Sequence, residues 1–595
     1  MKKIIPVLFL TLLSILMNAQ TIPASKRVTW AGSGVLPGNP VITNIANVMN
    51  FGAVGDGVAN DKNAVDSAIN SFGGHAGIVY FPTGTYFINP TLQIPDSIIL
   101  RGNCSENSIL KFDFGGAGNN CINAQVNVNT TYRAIRAGFS KDTSVIVVDS
   151  VTGFNVGDYL EINEPNGNWN TVPANWATLC VGQIVHITAI NGNAISFQNP
   201  LRMSLTDSSQ VRIWIPRKFV GIEDLGINRV DATTPAQGYC INFFNALNCW
   251  VRGVESNHSC GAHIFCTTCS NIEVTGCYFH HAFLYDGNNT RGYGIALAQH
   301  TGQCLIENNV FVHLRHAMMV KQGANGNVYA YNYATDGFRS ESPSDEGGDI
   351  VCHGHYPYAN LFEGNIVNNI AIDETWGPDG PYNTFYRNRA ELYGIIMSVA
   401  GVNSDSLNFV GNEITNPGSG LGNYIITGTN HFEYGNNILG TITPSGTTNL
   451  NDTSYYRTTF SDIFAFAPFP PTVGEPNAPL SGTIPAKLRY QWGGKITTSP
   501  NAACNTLSVP EINADHGVSV FPNPAKDKIL VQMTDHQNSY SLIITDMQGR
   551  KIYSENIPAG ITEKTINISG FAKGMYFVRL ANDKFVSVKK IVFED

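Results

Sequence analysis

Six short segments in the middle of the chain end on asparagine at a near-constant interval, and this period restricts the fold more than any other feature. They are Leu305–Asn309, Val328–Asn332, Leu361–Asn365, Phe385–Asn388, Phe409–Asn412 and Phe432–Asn436, so the ladder positions step by 23, 33, 23, 24 and 24 residues. Val254 and Cys277 continue the register upstream. Each segment alternates over a few positions and closes at a turn, as a short strand does. A period of 23–24 residues without a long helix describes a solenoid, in which no coil buries its own apolar face and stacked coils share one core. Strand–turn–strand coils with Gly and Asn corners stack as a parallel β-helix, with neighbouring strands about 4.8 Å apart. The recurrent Asn is expected to form an inward ladder, each amide bonding the next, at corners that need left-handed backbone. Two intervals exceed the period by nine or ten residues, so loops are expected to leave the scaffold near Tyr278–Gly292 and Asp336–Gly348.

Composition agrees with a turn-dense β protein. Of 595 residues 14% are charged, against roughly 25% in ordinary globular proteins, and 58 are Gly. The net charge of −9 argues against a nucleic-acid partner, which calls for a basic face. Residues 1–19 read as a secretory signal, with Lys2 and Lys3 before the apolar run Ile4–Leu16, and no later stretch of about 20 apolar residues predicts a transmembrane span. Export permits disulfides, so the twelve cysteines, eight of them between Cys240 and Cys352, are expected as buried thiols or as one or two bridges, which the sequence does not assign.

Residues 46–103 form a cap. The lead-in Phe51–Asp61 precedes a short helix, Lys62 to Ser71, and then come Gly77–Tyr86 and Ile98–Gly102. Asp56 and Asp61 read as cap residues. This run is similar to the N-terminal cap and first coils of the pectate-lyase-like superfamily, in the branch related to rhamnogalacturonases and epimerases. That resemblance implies a right-handed parallel β-helix. Residues 131–216, with strands such as Ser144–Val148 and Gly157–Ile162, read as a small antiparallel β unit inserted in the solenoid. Residues 445–510 are rich in Pro, Thr and Ser and read as a terminal wrap and linker. The β pattern that follows, with Val518–Ala525, the hairpin Thr545–Ile552 and Lys573–Leu580, resembles the C-terminal sorting domain of the Bacteroidetes type IX secretion system. It implies export through the outer membrane by that machinery, to a secreted or cell-surface location. The expected class is therefore all-β: a right-handed parallel β-helix with an inserted β unit and a C-terminal β-sandwich domain. Its expected division is 1–19 signal, 20–130 cap and first coils, 131–216 insertion, 217–445 main β-helix, 446–512 wrap and linker, and 513–595 sorting domain.

Counting back from the ladder places His316, Lys321, Asp349, His353, His355, Asp373 and Trp376 on or beside one sheet across successive coils. The count sets His316 beside Asp349 and Gln322 beside His355, and a slip of one residue would reverse which side chains face outward. So many ionisable groups meeting in a chain low in charge mark a candidate site. His353, His355, Lys321, Asp349, His316 and Asp373 are the catalytic candidates. Arg315, Gln322, Arg339, Tyr356 and Trp376 are substrate-binding candidates, with Tyr358 as a further flat face. Elimination from a uronic acid needs a base for the C5 proton and cations for the carboxylate. Hydrolysis needs two carboxyl groups, about 5 Å apart if retaining and about 6.5–9.5 Å if inverting, and Asp349, Asp373, Glu374 and Asp379 are available. Neither the Asp triplet of polygalacturonases nor the arginine-centred signature of calcium-dependent pectate lyases is apparent, so the resemblance assigns no catalytic residue. A Ca²⁺ among the carboxylates is compatible with the sequence, but no loop has diagnostic spacing. The leading expectation is an exported enzyme cleaving an acidic polysaccharide, with β-elimination ahead of hydrolysis. A non-catalytic glycan-binding surface protein or adhesin is the competing class.

Overall fold

The computed structural model describes residues 21–37, 42–128, 130–233, 238–344, 347–397, 402–448, 450–458, 482–492, 496–498, 518–533, 539–546, 551–582 and 585–594. The signal reading at 1–19, most of the linker and the turn of the 545–552 hairpin lie outside these residues. The chain divides into two compact units, Met1–Asn505 and Thr506–Asp595.

The first unit is a right-handed parallel β-helix whose coils carry three strands. One coil runs Leu305–Glu307, Val310–Val312 and His316–Val320, and each strand pairs in parallel with its counterpart in the next coil, Val328–Ala330, Tyr333–Thr335 and Ile350–Cys352. Constant pitch puts like residues above one another. Ile295, Met318, Ile350 and Ile370 share an inward column without solvent exposure. The rings of Tyr329, Phe362, Phe385 and Phe409 stack at 5.4, 5.1 and 5.2 Å. Apolar burial along this shared core holds the coils together.

The asparagine ladder is present. Asn309, Asn332, Asn365, Asn388 and Asn412 each donate from Nδ2 to the next ladder Oδ1, at 2.9–3.1 Å, and all are fully buried. The left-handed residue, however, is the one before each ladder Asn: Asn308, Tyr331, Gly364, Arg387, Gly411 and Gly435, at φ between 52° and 67°. The corner turns there, and the Asn that follows is freed to aim its amide inward. A second ladder, Asn327–Asn360–Asn383, closes another corner with Nδ2–Oδ1 bonds of 2.9 Å.

Helix Lys62–Asn70 packs Val65, Ala68 and Ile69 into the core at the capped end. Asp56 and Asp61 hold the lead-in turn: Asp56 accepts from Val58 N and Ala59 N, and Asp61 from Val54 N and Gly55 N. The insertion is a closed antiparallel barrel of six strands, from Arg133–Ala137 to Gln210–Trp214. Its apolar centre includes Ile146, Leu160, Val185 and Phe197. It is pinned to the coils by His300 Nδ1, 2.7 Å from Glu161 Oε1, and by Arg202 Nη1 donating to Asn325 Oδ1 at 2.7 Å. Ten cysteines are buried free thiols and Cys104 is disulfide-bonded. Several of the thiols occupy inward core positions; Cys277 N donates to Asn309 Oδ1, one coil above the first ladder Asn. The linker region contains a helix, Pro485–Trp492. The second unit packs a three-stranded and a four-stranded antiparallel sheet around Ile529, Val531, Leu542, Ile544, Val578 and Ile591, as a β-sandwich.

Candidate functional site

The strands Tyr293–Ala298, His316–Val320, Ile350–Cys352 and Ile366–Ile372 lie side by side in one parallel sheet. Their outward residues Ala296, Met319, Val351 and Ala371 form an apolar strip. On one side of the strip stand Tyr293 and His316, with ring centroids 4.9 Å apart. On the other the chain continues to Lys321, His353 and Asp373. The bonds Lys321 N to Leu297 O, His353 N to Val320 O and Asp373 N to Cys352 O, at 2.8–3.0 Å, carry these three residues onto successive coils in one column.

Between the His316–Val320 and Ile350–Cys352 strands the register differs from the sequence count by one residue. Val320 pairs with Cys352, so His316 meets Gly348, whose carbonyl lies 3.1 Å from Nδ1, and Gln322 N bonds Gly354 O. Between Val320 and the bridge residue Asn325 the turn has two left-handed residues, Gln322 and Gly323. Between Cys352 and Tyr358 it has three, Gly354, His355 and Tyr356. The extra residue shifts every position counted back from the downstream ladder.

At the next coil the count, which sets Cys352 level with Thr375, is off by three: Cys352 pairs with Ile372, and this brings His353 and Asp373 together, with Nδ1 2.6 Å from Oδ2 and both side chains partly exposed. Burial works against ionisation of Asp373, but the facing His353 and hydrogen bonds from His353 and Thr375 outweigh it and hold the carboxyl well below the usual carboxylate range. Lys321 Nζ stands 5.4 Å from the Phe265 ring centroid and 5.6 Å from that of Trp176, and burial lowers its pKa to about 8. His316 lies 5.6 Å from the His353 ring; burial, then Arg315 and His353, push its pKa well down. Its Nε2 is buried without a partner. Arg315 donates from Nη1 to the Tyr293 hydroxyl at 3.2 Å.

Other candidates sit elsewhere. Asp349 is buried, accepts from Asn368 N at 2.6 Å, and is raised by burial to about 7. Glu374 and Asp379 are buried; Asp379 Oδ1 accepts from Gly354 N, and burial, then Asp373 and Glu374, raise its pKa well above the usual range. Arg339 lies in the exposed loop after Asp336 and bonds Pro343 O. Gln322 Nε2 donates to Trp176 O at 2.9 Å. Tyr356 stacks on Trp169 at 4.5 Å, and Trp376 is 38% exposed. Tyr358 offers no face to a ligand, because it is buried with its hydroxyl on Gly182 O. His355 is fully buried with both ring nitrogens unpartnered, and burial, then His353 and Lys321, lower its pKa to about 4.

The excess residues do leave as loops, but the first begins later than expected, because Tyr278–Ala282 is strand. The count along the ladder missed Trp169 and Trp176, since they arrive on the inserted barrel, which has no register with the coils. Their only trace in the sequence is a pair of tryptophans in a polar Gly, Asn and Pro tract. It also missed a row of imidazoles along the neighbouring bend. There His258, His281 and His313 stack at 5.6 and 5.1 Å, His313 is 2.8 Å from Asp336 and His280 is 3.2 Å from Glu255. Among the described residues no three His, Cys, Asp or Glu side chains converge on a metal position.

The fold defines a right-handed parallel β-helix protein in which an inserted barrel brings Trp176 against Lys321, His355 and Trp376 on the coils. Residues 45–209 match the family described as rhamnogalacturonase A/epimerase, pectate lyase-like, and residues 519–594 match the secretion system C-terminal sorting domain. The chain thus carries a pectate-lyase-like segment and a type IX sorting tail that directs it through the outer membrane to the cell surface or medium. Among curated proteins, mannuronan C5-epimerase AlgE1 of Azotobacter vinelandii is 34% identical over 89 residues, which is 13% of this chain and 6% of that protein. Solved structures with a similar fold include the tailspike gp49 of Pseudomonas phage LKA1 (TM-score 0.48, 14% identity, 61% of this chain and 63% of that one). Another is the Azotobacter vinelandii mannuronan C-5 epimerase AlgE4 A-module (TM-score 0.31, 14% identity, 64% and 79%). A third is the Thermotoga maritima exopolygalacturonase (TM-score 0.30, 12% identity, 68% and 94%). The family matches support a carbohydrate-active protein. Among the described residues no helix is long and apolar enough to cross a membrane.

Proposed function

We propose that the cleft binds an acidic polysaccharide and cleaves it by β-elimination. The observation that carries this reading is the His353–Asp373 pair, open to the cleft and flanked by cations. His353 removes the proton at C5 of a uronate unit, the C4–O bond breaks, and a C4–C5 double bond forms. Asp373 fixes the imidazole and stabilises it once charged. Arg315 opposes the substrate carboxylate, whose charge grows as the proton leaves. Lys321, with a pKa of about 8, is an ammonium at neutral pH and returns a proton to the departing oxygen. Hydrolysis is less well supported. It needs two carboxyl groups at the cleft, and of Asp349, Asp373, Glu374 and Asp379 only Asp373 is not buried.

C5 epimerisation begins with the same proton abstraction, and the local match to a mannuronan C5-epimerase favours it as the second reading. A panel of polygalacturonate, alginate and sulfated glycans separates the outcomes. A new ultraviolet-absorbing double bond supports elimination. Deuterium uptake at C5 without chain cleavage supports epimerisation. Reducing ends without the double bond mean hydrolysis, and binding alone means an adhesin; either would sink the proposal.

A further inference from the structure

Trp176 comes from the insertion, yet its ring meets Lys321, His355 and Trp376 on the coils. It is 51% exposed, and its ring centroid is 5.7 Å from that of Trp376, with the ring planes 69° apart. Beneath the pair is His355, 4.6 Å from Trp176 and 6.3 Å from Trp376. The segment that carries Trp176 is fastened to the coils. Gln322 Nε2 donates to Trp176 O at 2.9 Å, and Gln299 Nε2 to Leu179 O at 2.7 Å. A half-exposed Trp on an anchored backbone is a ready platform that loses little entropy when a ligand covers it. Buried polar atoms in folded proteins nearly always have partners, so an imidazole with two orphaned nitrogens is a group a ligand can complete.

Resting on the reading of the cleft as a glycan site, we propose that Trp176 and Trp376 form a stacking subsite for a second sugar unit of the same acidic chain, with His355 as its hydrogen-bonding floor. A pyranose lays its C–H face on one ring and its edge against the other. Rotation of the half-exposed Trp176 ring opens His355, which as a neutral imidazole offers one donor and one acceptor to a hydroxyl. Lys321, 5.6 Å from the Trp176 centroid, favours a unit that bears a carboxylate. The inserted barrel is then a specificity element for the polymer, and Trp176 is a binding rather than a catalytic residue.

The test uses the full chain in a His353→Ala background, titrated with oligogalacturonate and oligomannuronate by calorimetry and tryptophan emission. Trp176→Ala and Trp376→Ala each weaken binding about tenfold, Trp176→Phe restores most of the loss, and His355→Phe weakens it less. Trp492→Ala, at a 62% exposed ring in the Pro485–Trp492 helix, leaves binding unchanged. The emission change seen with saturating ligand shrinks in Trp176→Ala, leaving the part due to Trp376. Binding to Trp176→Ala equal to the parent, with circular dichroism intact, overturns the subsite and leaves the cleft reading standing. Absence of binding to the parent by either oligosaccharide overturns both.

Discussion

Asp373 stands one coil beyond His353, and its Oδ2 lies 2.6 Å from the imidazole Nδ1. Strand pairing creates this contact, because Cys352 and Ile372 are register partners and each hands its neighbour to the cleft. Asp373→Asn is expected to lower kcat by about 100-fold or more with KM little changed, and His353→Ala to lower it further, within the 10²–10⁴ range of a lost proton-transfer group. Steady-state rates on the polymer that shows turnover check this; full activity in His353→Ala removes the proposed base.

Asp349 gives a stability prediction. Burial raises its pKa from 3.8 to about 7. Its folded value lies above its unfolded one, so its contribution is fully present below about pH 4 and is lost as pH rises through about 7. Asp349→Asn keeps the acceptor for Asn368 N and cannot ionise. Between pH 5 and pH 8 the wild type should lose stability relative to this variant, by at most about 3 kcal/mol. Parallel thermal melts at the two pH values measure the difference, and equal pH dependence contradicts it.

His355 acts on the acid side. Its pKa falls from 6.5 to about 4, so the unfolded chain binds the proton more tightly. Stability from the neutral ring is fully present above about pH 6.5 and is lost as pH falls towards 4. His355→Phe should flatten the acid limb of a melting-temperature profile across this window. An unchanged limb would mean that the imidazole is solvated.

Asn365 tests the ladder. Its Oδ1 accepts from Asn332 N and Asn332 Nδ2, and its Nδ2 donates to Asn388 Oδ1 and Tyr329 O. Asn365→Ala leaves all four partners buried and short of a bond. The expected loss is at least about 3 kcal/mol, read from the denaturant midpoint. A loss under 1 kcal/mol, on the order of a single exposed hydrogen bond, would show that the ladder does not hold the coils.

The two units predict a clean truncation. A chain ending at Asn505 retains the whole first unit. It should melt at the same temperature as the β-helix in the full protein and bind the same glycans, but remain inside the cell for want of the sorting tail. Fractionation and calorimetry check both halves, and export of the shortened chain would contradict the second.

The solenoid was legible because its period is a property of the chain. Each coil repeats one solution to burying one face, so Asn309 through Asn436 report it without knowledge of any contact. The cleft was only partly legible. His316, Lys321, His353 and Asp373 do share a sheet, as the count from the ladder requires. Their partners were misassigned by one residue between Val320 and Cys352, where the turn at Gly354, His355 and Tyr356 absorbs an extra residue, and by three between Cys352 and Ile372, since spacing alone cannot locate where a coil takes up extra residues.

The sequence by itself determined the stacked architecture, the corner asparagines, the insertion and the export tail, since each is written in local periodicity or a contiguous motif. Only the tertiary structure decided that Asp373 faces His353, that Asp349 and Tyr358 are buried away from the cleft, and that Trp176 closes one wall. Those outcomes depend on backbone handedness at single turns and on where a folded insertion docks. Both are set by packing between segments far apart in the chain, which no repeat length encodes.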